Sequence, residues 1–121
     1  MESLALDTTF GTVTVFDNII SIVVDEGATF KADDLAELFE LYDTHFPNKN
    51  FGYISNRIND YSIELSPKLY RSVHSNLVAI AAVCYTDASY RNAQFEKEFY
   101  KKPFAVFRKY DDAVAWLEEF I

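Results

Sequence analysis

The densest run of polar side chains lies between Ser55 and Ser62. It supplies six candidate ligand- or partner-binding residues: Asn56, Arg57, Asn59, Asp60, Tyr61 and Ser62. A guanidinium such as that of Arg57 binds carboxylate or phosphate groups, and asparagine amides can orient the same ligand. The alternative is a plain turn, because Asn, Asp and Ser side chains also bond their own backbone in loops. We therefore predict a binding site here, with a self-satisfied turn as the competing interpretation.

Enzyme chemistry has less support. Asp60 and Glu64 could form a carboxylate pair, but their spacing fixes no geometry. His45 and His74 lie near the ends of predicted helices, where histidine more often interacts with the last carbonyl groups. Cys84 lies in an apolar segment, where a thiol behaves as an inert small hydrophobe. We therefore predict no catalytic residue, no metal site, no cofactor and no enzyme activity.

Length and composition exclude several classes of protein. The chain has 121 residues, one cysteine and three glycines, with 11 Lys and Arg against 19 Asp and Glu, for a net charge of −8. One cysteine excludes an internal disulfide framework, and the glycines are too far apart for a phosphate-binding loop. The acidic balance argues against nucleic-acid binding. The longest apolar run, Leu77 to Tyr85, is about half of what a bilayer needs, and Met1 to Asp7 shows no signal-peptide pattern. We predict a single cytoplasmic domain over residues 1–121.

The elements that must position the candidate site begin with a hairpin. Thr12 to Phe16 alternates β-forming residues, and Ile19 to Val24 is rich in β-branched residues. Asp17 and Asn18 between them tolerate the positive φ that a two-residue hairpin turn requires. Three later segments are also predicted strands: Phe51 to Ile58, Leu77 to Tyr85 and Phe104 to Arg108. The almost wholly apolar Leu77 to Val83 suits a strand that is covered on both faces.

Between these strands the apolar spacing changes to that of helices. The first predicted helix has one apolar stripe, formed by Leu35, Leu38, Phe39, Tyr42 and Phe46. A short second helix, about Pro67 to His74, begins after Ser66, an N-cap followed by proline at the first helical position. A third helix begins at Asp87 and a fourth at Asp111. Their predicted apolar faces are Ala88, Phe95 and Phe99 in the third, and Ala113, Trp116, Leu117 and Phe120 in the fourth.

Strands and helices therefore alternate after the hairpin, which predicts right-handed crossovers. The predicted fold class is α/β, with a mixed, mostly parallel sheet, an N-terminal antiparallel hairpin and four helices. Ligands of such open sheets bind at the carboxyl ends of parallel strands. The segment from Asn56 to Ser62 begins at such an end and leads to the helix start at Ser66, which attracts anions.

The surplus negative charge is confined to two predicted helices. Residues 31–46 carry one lysine against five acids, and residues 111–121 carry four acids and no base. Such surfaces attract a basic partner, although charge runs more often only keep a helix face solvated.

The aromatic content of 17% is high enough to suggest a pocket for a hydrophobic small molecule. Much of it is nevertheless assigned to inward faces of the predicted elements. The residues so assigned are Phe39, Phe46, Phe95, Phe99, Phe107, Trp116 and Phe120.

The segment from Lys102 to Leu117 reads KPFAVFRKYDDAVAWL. It resembles the C-terminal signature of the SpoIIAA-like family, in which a short strand ending in Val-Phe leads into an acidic helix start and an Ala-x-x-Trp-Leu pair. The apolar strand from Leu77 to Val83 and the order of elements are also similar, so the resemblance covers nearly the whole chain. The family is related to STAS domains and more distantly resembles CRAL-TRIO lipid carriers. The resemblance implies a β-α superhelix with a mixed sheet.

The same resemblance implies sites of phosphorylation. STAS anti-sigma-factor antagonists carry an Asp-Ser pair where the third strand meets the next helix, and that serine is phosphorylated. This chain has Asp60-Tyr61-Ser62 in the region, with Tyr61 splitting the pair. By analogy, Ser62 or Ser66 is the expected phosphorylated residue.

Two functions follow from these observations. The first is a non-enzymatic regulatory domain that resembles anti-sigma-factor antagonists and contacts a protein partner through the loop and helix after the third strand. The alternative is a carrier or sensor of a small hydrophobic or anionic, lipid-like ligand. Self-association as a homodimer stays open, because closed homodimers are common but no residue pattern specifies one here.

Overall fold

The computed structural model of the chain describes residues 3–64 and 74–121. These residues form eight strands, three α-helices and one turn of 3₁₀-helix. In chain order the elements are β1 (Ser3–Asp7), β2 (Gly11–Phe16), β3 (Ile19–Val24), β4 (Thr29–Phe30), α1 (Ala32–His45), β5 (Phe51–Arg57), β6 (Ser62–Ile63), β7 (Leu77–Cys84), α2 (Asp87–Glu96), the 3₁₀ turn (Lys97–Phe99), β8 (Phe104–Phe107) and α3 (Tyr110–Glu118).

Six strands form one sheet in the order β1-β2-β3-β5-β7-β8. The pairs β1–β2 and β2–β3 are antiparallel, whereas β3–β5, β5–β7 and β7–β8 are parallel. The predicted mixed sheet with an N-terminal antiparallel hairpin is therefore confirmed. The hairpin turn falls at Asp17 and Asn18 as predicted, and Asp17 adopts the positive φ of 50° that such a turn requires.

Three strands were not predicted from the sequence. β1 is an edge strand, and four of its five residues are exposed, so it lacks the alternation that marks a half-buried strand. β4 and β6 have two residues each and pair with one another in parallel, with Thr29 opposite Ser62 and Phe30 opposite Ile63. This small sheet matters for the site, because it ties the loop after β5 to the segment that precedes α1.

α2 begins at Asp87 as predicted, and α3 begins at Tyr110, one residue before the predicted Asp111. The carboxylate of Asp34 accepts the backbone N–H of Lys31 (2.9 Å) at the start of α1, and Thr86 Oγ1 accepts the N–H of Ser89 (3.1 Å) at the start of α2. The described residues contain three α-helices rather than the four predicted. The other one, about Pro67 to His74, lies outside the described residues except for His74, which is not helical.

The sheet has a hydrophobic cluster on each face. α1 and α2 pack on one face, where they bury Leu38, Tyr42 and Ala93 against the strands. α3 packs on the other face through Ala113 and Leu117. Alternate residues of β7 belong to the two clusters, and nearly all of the strand is buried, so the prediction of a strand covered on both faces is confirmed.

Candidate functional site

The site is organised by the last residue of β5, Arg57. Tyr53, Ser55 and Arg57 alternate with Ile54 and Asn56 along the strand, so the first three side chains share the sheet face that α1 and α2 cover. Glu96, the last residue of α2, meets Arg57 there: a guanidinium nitrogen of Arg57 donates to Glu96 Oε2. Both side chains are only 10% exposed, so this is a buried ion pair.

A short hydrogen-bond chain extends the pair. Arg57 Nε donates to Ser55 Oγ (3.1 Å), and Ser55 Oγ lies 3.3 Å from the hydroxyl of Tyr61. Burial acts to lower the pKa of Arg57, but the neighbouring Tyr61 and Glu96 outweigh burial, and the net pKa is raised. The guanidinium therefore stays charged over the whole working pH range.

The other carboxylate oxygen of Glu96, Oε1, takes no part in this hydrogen-bond chain. Glu96 Oε1 is buried and accepts no hydrogen bond from any residue that the structure describes. A buried acceptor without a donor is costly, more so when it carries charge. The ion pair thus leaves one buried carboxylate oxygen, Glu96 Oε1, without a donor among the residues that the structure describes.

A cavity of about 80 Å³ lies between α1 and the sheet beside this pair. We call it the inner cavity. Its walls are largely apolar and include Leu38, Phe39, Ile63, Leu77, Ile80 and Phe104. Tyr42, Tyr53, Tyr61 and the Arg57–Glu96 pair also line it, which adds polar groups to an otherwise apolar space.

A larger, more open space of about 400 Å³ lies on the other side of the pair. We call it the outer groove. The loop of residues 59–63 forms one wall, and α2 with its 3₁₀ extension forms the other. Arg57, Tyr61, Ile63 and Glu96 line both spaces, so the ion pair stands at their junction. The groove also lies where parallel β5 and β7 end, which is where ligands bind in open α/β sheets.

Large apolar side chains are exposed around this end of the sheet. We call Ile58, Tyr85, Phe95 and Phe99 the apolar rim; the first two follow the ends of β5 and β7. Phe95 is 66% exposed, and its ring meets that of Phe99 edge to face at 5.3 Å. Both phenylalanines also line the outer groove.

The inward placement of Phe95 and Phe99 was therefore wrong. The face of α2 that packs on the sheet carries Ala93 and Glu96, which are spaced by three. Phe95 lies two residues from Ala93, on the far side of the helix. Phe120 was also assigned inward and is exposed, because it lies past the end of α3.

The structure places the six candidate binding residues in three different positions. Arg57 and Tyr61 lie at the junction, and Asn59, Asp60 and Ser62 line the outer groove. Asn56 does not join them, because it points to the opposite face of the sheet, where its Oδ1 accepts from the Tyr85 hydroxyl (2.6 Å). Ser66 lies outside the described residues.

The loop also satisfies its own structure, as the competing interpretation held. Asn59 Nδ2 donates to the carbonyl of Val24 (3.0 Å), and the N–H of Asp60 donates to Glu26 Oε2 (2.7 Å). The N–H of Gly27 donates in turn to the carbonyl of Asp60 (2.8 Å). These bonds fix the loop against the β3–β4 corner, so two of the polar residues position the groove wall.

Glu96 is the site residue that sequence reasoning missed. It lies 39 residues from Arg57 and belongs to a helix with a thin apolar face, so no local spacing pairs the two. The one available signal is its position three residues after Ala93, on the only stripe of α2 that the sheet buries.

The contacts of His74 are those of a residue that supports the fold. Its Nδ1 accepts the N–H of Asn76 (3.2 Å), so the proton resides on Nε2, which donates to Asp43 Oδ1 (2.7 Å). The ring packs edge to face on Phe39 and Tyr42. The predicted contact with helix-terminal carbonyls is thus replaced by a bond to a carboxylate near the end of α1.

The buried tyrosines give the site a testable pH dependence. Burial raises the pKa of Tyr42 and of Tyr53 above the ordinary value of about 10, with neighbouring tyrosines adding to the effect. Their contribution to stability is fully present below pH ~10 and is lost as pH rises above that value, because only the unfolded chain then ionises. We expect Tyr42→Phe to flatten this alkaline loss, measured by urea unfolding across pH ~8–11. An identical pH profile in the variant would contradict the assignment.

Two further structural findings bear on function. No helix within residues 3–64 and 74–121 combines the length and apolar character needed to cross a membrane. Within the same ranges, no group of three His, Cys, Asp or Glu side chains is placed to hold a metal ion.

Comparison with known proteins places the fold. No family model and no curated protein match the sequence. A solved structure does match: an uncharacterised protein of the DUF3478 family with a SpoIIAA-like fold, from Shewanella loihica PV-4. The alignment covers 96% of this chain and 92% of that one, with a TM-score of 0.58 and 12% identity. This chain has a SpoIIAA-like fold. The resemblance predicted from the C-terminal segment is thereby confirmed, and at this identity the similarity concerns the fold alone.

Within the SpoIIAA-like fold, Ser62 lies on the short strand β6. Its backbone N–H donates to the carbonyl of Ala28 (2.9 Å), and the residue is exposed on the wall of the outer groove. The backbone is therefore fixed and the side chain is accessible. Phosphorylation of Ser62 stays a prediction.

Proposed function

We propose that this chain is a non-enzymatic regulatory domain that binds a protein partner at the carboxyl ends of β5 and β7. The apolar rim carries the proposal. Single exposed apolar residues are ordinary, but a group of large ones, rich in aromatics and placed beside a groove, is typical of a protein interface. Phe95 and Phe99 line the outer groove, and the exposed Ile58 and Tyr85 follow directly on β5 and β7 at the same end of the sheet.

Ser62 offers a means of regulating this contact. A phosphate there adds about −1.5 to −2 charges at neutral pH. It would stand in the outer groove beside Asp60, and among the described residues that line this groove the one cation, Arg57, is already held by Glu96. Modification would therefore oppose an apolar or acidic partner segment, and Ser62→Asp is the corresponding mimic.

The test uses apolar-to-polar changes with a matched control. We expect Phe95→Ser and Ile58→Ser each to weaken partner binding at least about tenfold, as interface anchors do. Leu4→Ser is the control, because Leu4 is 47% exposed on β1, the edge strand farthest from β8. The partner is first isolated with the wild-type chain from its own cells, and affinities are then measured with both proteins purified. Equal binding by the rim variants and the wild type would contradict the proposal.

A second candidate is a carrier or sensor of a small molecule. The observation that favours it is the pair of adjoining spaces, one lined largely by apolar side chains and the other open at a strand end. Native mass spectrometry of freshly purified protein tests it, with denaturing spectra as the reference. We expect an added mass in the native spectrum, and a bare chain in every native preparation would contradict this candidate.

A further inference from the structure

The carboxylate oxygen Glu96 Oε1 is a buried hydrogen-bond acceptor that lacks a donor among the described residues. The residue is 8% exposed, and Oε1 has no partner among residues 3–64 and 74–121. Nearly all buried acceptors in folded proteins have a donor from protein, water or ligand. Since Glu96 lines both the inner cavity and the outer groove, an occupant of these spaces can supply the donor.

The charges at the junction favour an occupant without net charge. Arg57 and Glu96 neutralise each other in one buried pair. Among the described residues that line the inner cavity, the other cation is Lys102, and its Nζ donates to the backbone carbonyls of His74, Ser75 and Leu77. A charged group in the inner cavity would bring an uncompensated charge among largely apolar side chains, at a large cost.

Size and wall chemistry describe the rest of the occupant. The inner cavity is lined by apolar and aromatic side chains such as Phe39, Tyr42 and Ile80, which suits an apolar or aromatic group. Its volume of about 80 Å³ is smaller than the roughly 150 Å³ of a cavity that encloses benzene. A ligand of ordinary size would therefore extend past the ion pair into the outer groove.

We propose that the junction of these two spaces binds a small neutral molecule with an apolar or aromatic body, whose hydroxyl or amide N–H donates to Glu96 Oε1. The proposal rests on the carrier function above and specifies the class of its ligand. It needs no change in the Arg57–Glu96 bond, because that bond uses Oε2.

Phenol and fluorobenzene form a matched pair of probes, since they share a ring and differ in one donor. We expect NMR titration of the wild-type chain with phenol to shift the amide signals of Arg57 and Glu96. Phenol should bind roughly tenfold to a hundredfold more tightly than fluorobenzene, the effect of a hydrogen bond to a charged group. In the double variant Arg57→Met/Glu96→Leu, which removes both charges, this preference should disappear while fluorobenzene still binds. The exposed pair supplies the control, Arg108→Gln/Asp87→Asn, in which the preference should persist.

Several results would overturn the proposal. Equal affinity for phenol and fluorobenzene in the wild-type chain would contradict the proposed hydrogen bond to Glu96 Oε1. It would not contradict the carrier function. If the NMR signals shift only at the apolar rim, or do not shift with either probe, the proposed binding site at the junction is contradicted. A phenol preference that survives in the double variant would assign the acceptor to another group. The wild-type comparison decides the question even where the double variant is unstable.

Discussion

Glu96→Leu is expected to destabilise the fold by about 3–5 kcal/mol, because it leaves the guanidinium of Arg57 buried and charged without its partner. Arg57→Met is expected to be similarly costly, since Glu96 would then have both carboxylate oxygens buried and unpaired. Urea unfolding of the two single variants measures these losses.

The decisive measurement is the double variant Arg57→Met/Glu96→Leu. Replacing a buried pair by apolar residues of similar size is often neutral or stabilising, so it should be more stable than either single variant. Equivalent changes at the ion pair of Arg108 and Asp87 should have small effects that add, because both of its side chains are largely exposed. Losses at Arg57 and Glu96 that simply add would show that the two charges are not coupled.

The double-variant cycle also separates stability from binding. Arg57 closes one side of the outer groove and Glu96 supplies the unpartnered oxygen at the junction. A chain that keeps its stability without these charges, yet loses the preference for a donor-bearing ligand, would assign the pair to recognition. A chain that loses neither would assign it to packing alone.

Much of the architecture could be predicted because its signals are local. The β2–β3 hairpin follows from a two-residue turn between alternating and β-branched segments, and its Asp17 adopts the required positive φ. β7 follows from an apolar run whose length and composition suit a strand that is covered on both faces. β1 has no such signal, because an exposed edge strand need not alternate.

The candidate site was predictable only in part, for two different reasons. The separation of Asn56 from Arg57 follows from the strand period of two, because both residues belong to β5 and their side chains point to opposite faces of the sheet. The meeting of Arg57 and Glu96 follows instead from the way α2 crosses β5 and β7, and sequence spacing carries no trace of it. The exposure of Phe95 was also unpredictable from local sequence. An aromatic residue on a helix is buried only when its side of the helix packs on the sheet, and in α2 that side carries Ala93 and Glu96 instead.

Gly11→Ala is the second large effect that we expect, with a loss of roughly 3 kcal/mol or more. Gly11 begins β2 opposite Val24, at a φ of 158°. A Cβ there would lie 2.0 Å from the carbonyl oxygen of Val23 and 2.9 Å from the Cα of Val24. Both are backbone atoms, so relief of the clash requires β2 and β3 to separate at this end.

Gly27→Ala is the matched control for this variant. Gly27 also has a positive φ, 76°, but a Cβ there meets nothing within 4 Å. It should therefore cost only the backbone strain of about 1–2 kcal/mol. Equal losses for the two variants in urea unfolding would contradict the steric explanation.

The clash at Gly11 should also reach the candidate site. The carbonyl of Val24 accepts the hydrogen bond of Asn59 Nδ2, which holds the loop that forms one wall of the outer groove. When β2 and β3 separate at Gly11, Val24 moves and this bond weakens. We therefore expect Gly11→Ala, under conditions where it remains folded, to shift the NMR signals of Asn59 and Asp60, whereas an unchanged loop would show that the β3 end and the groove wall are independent.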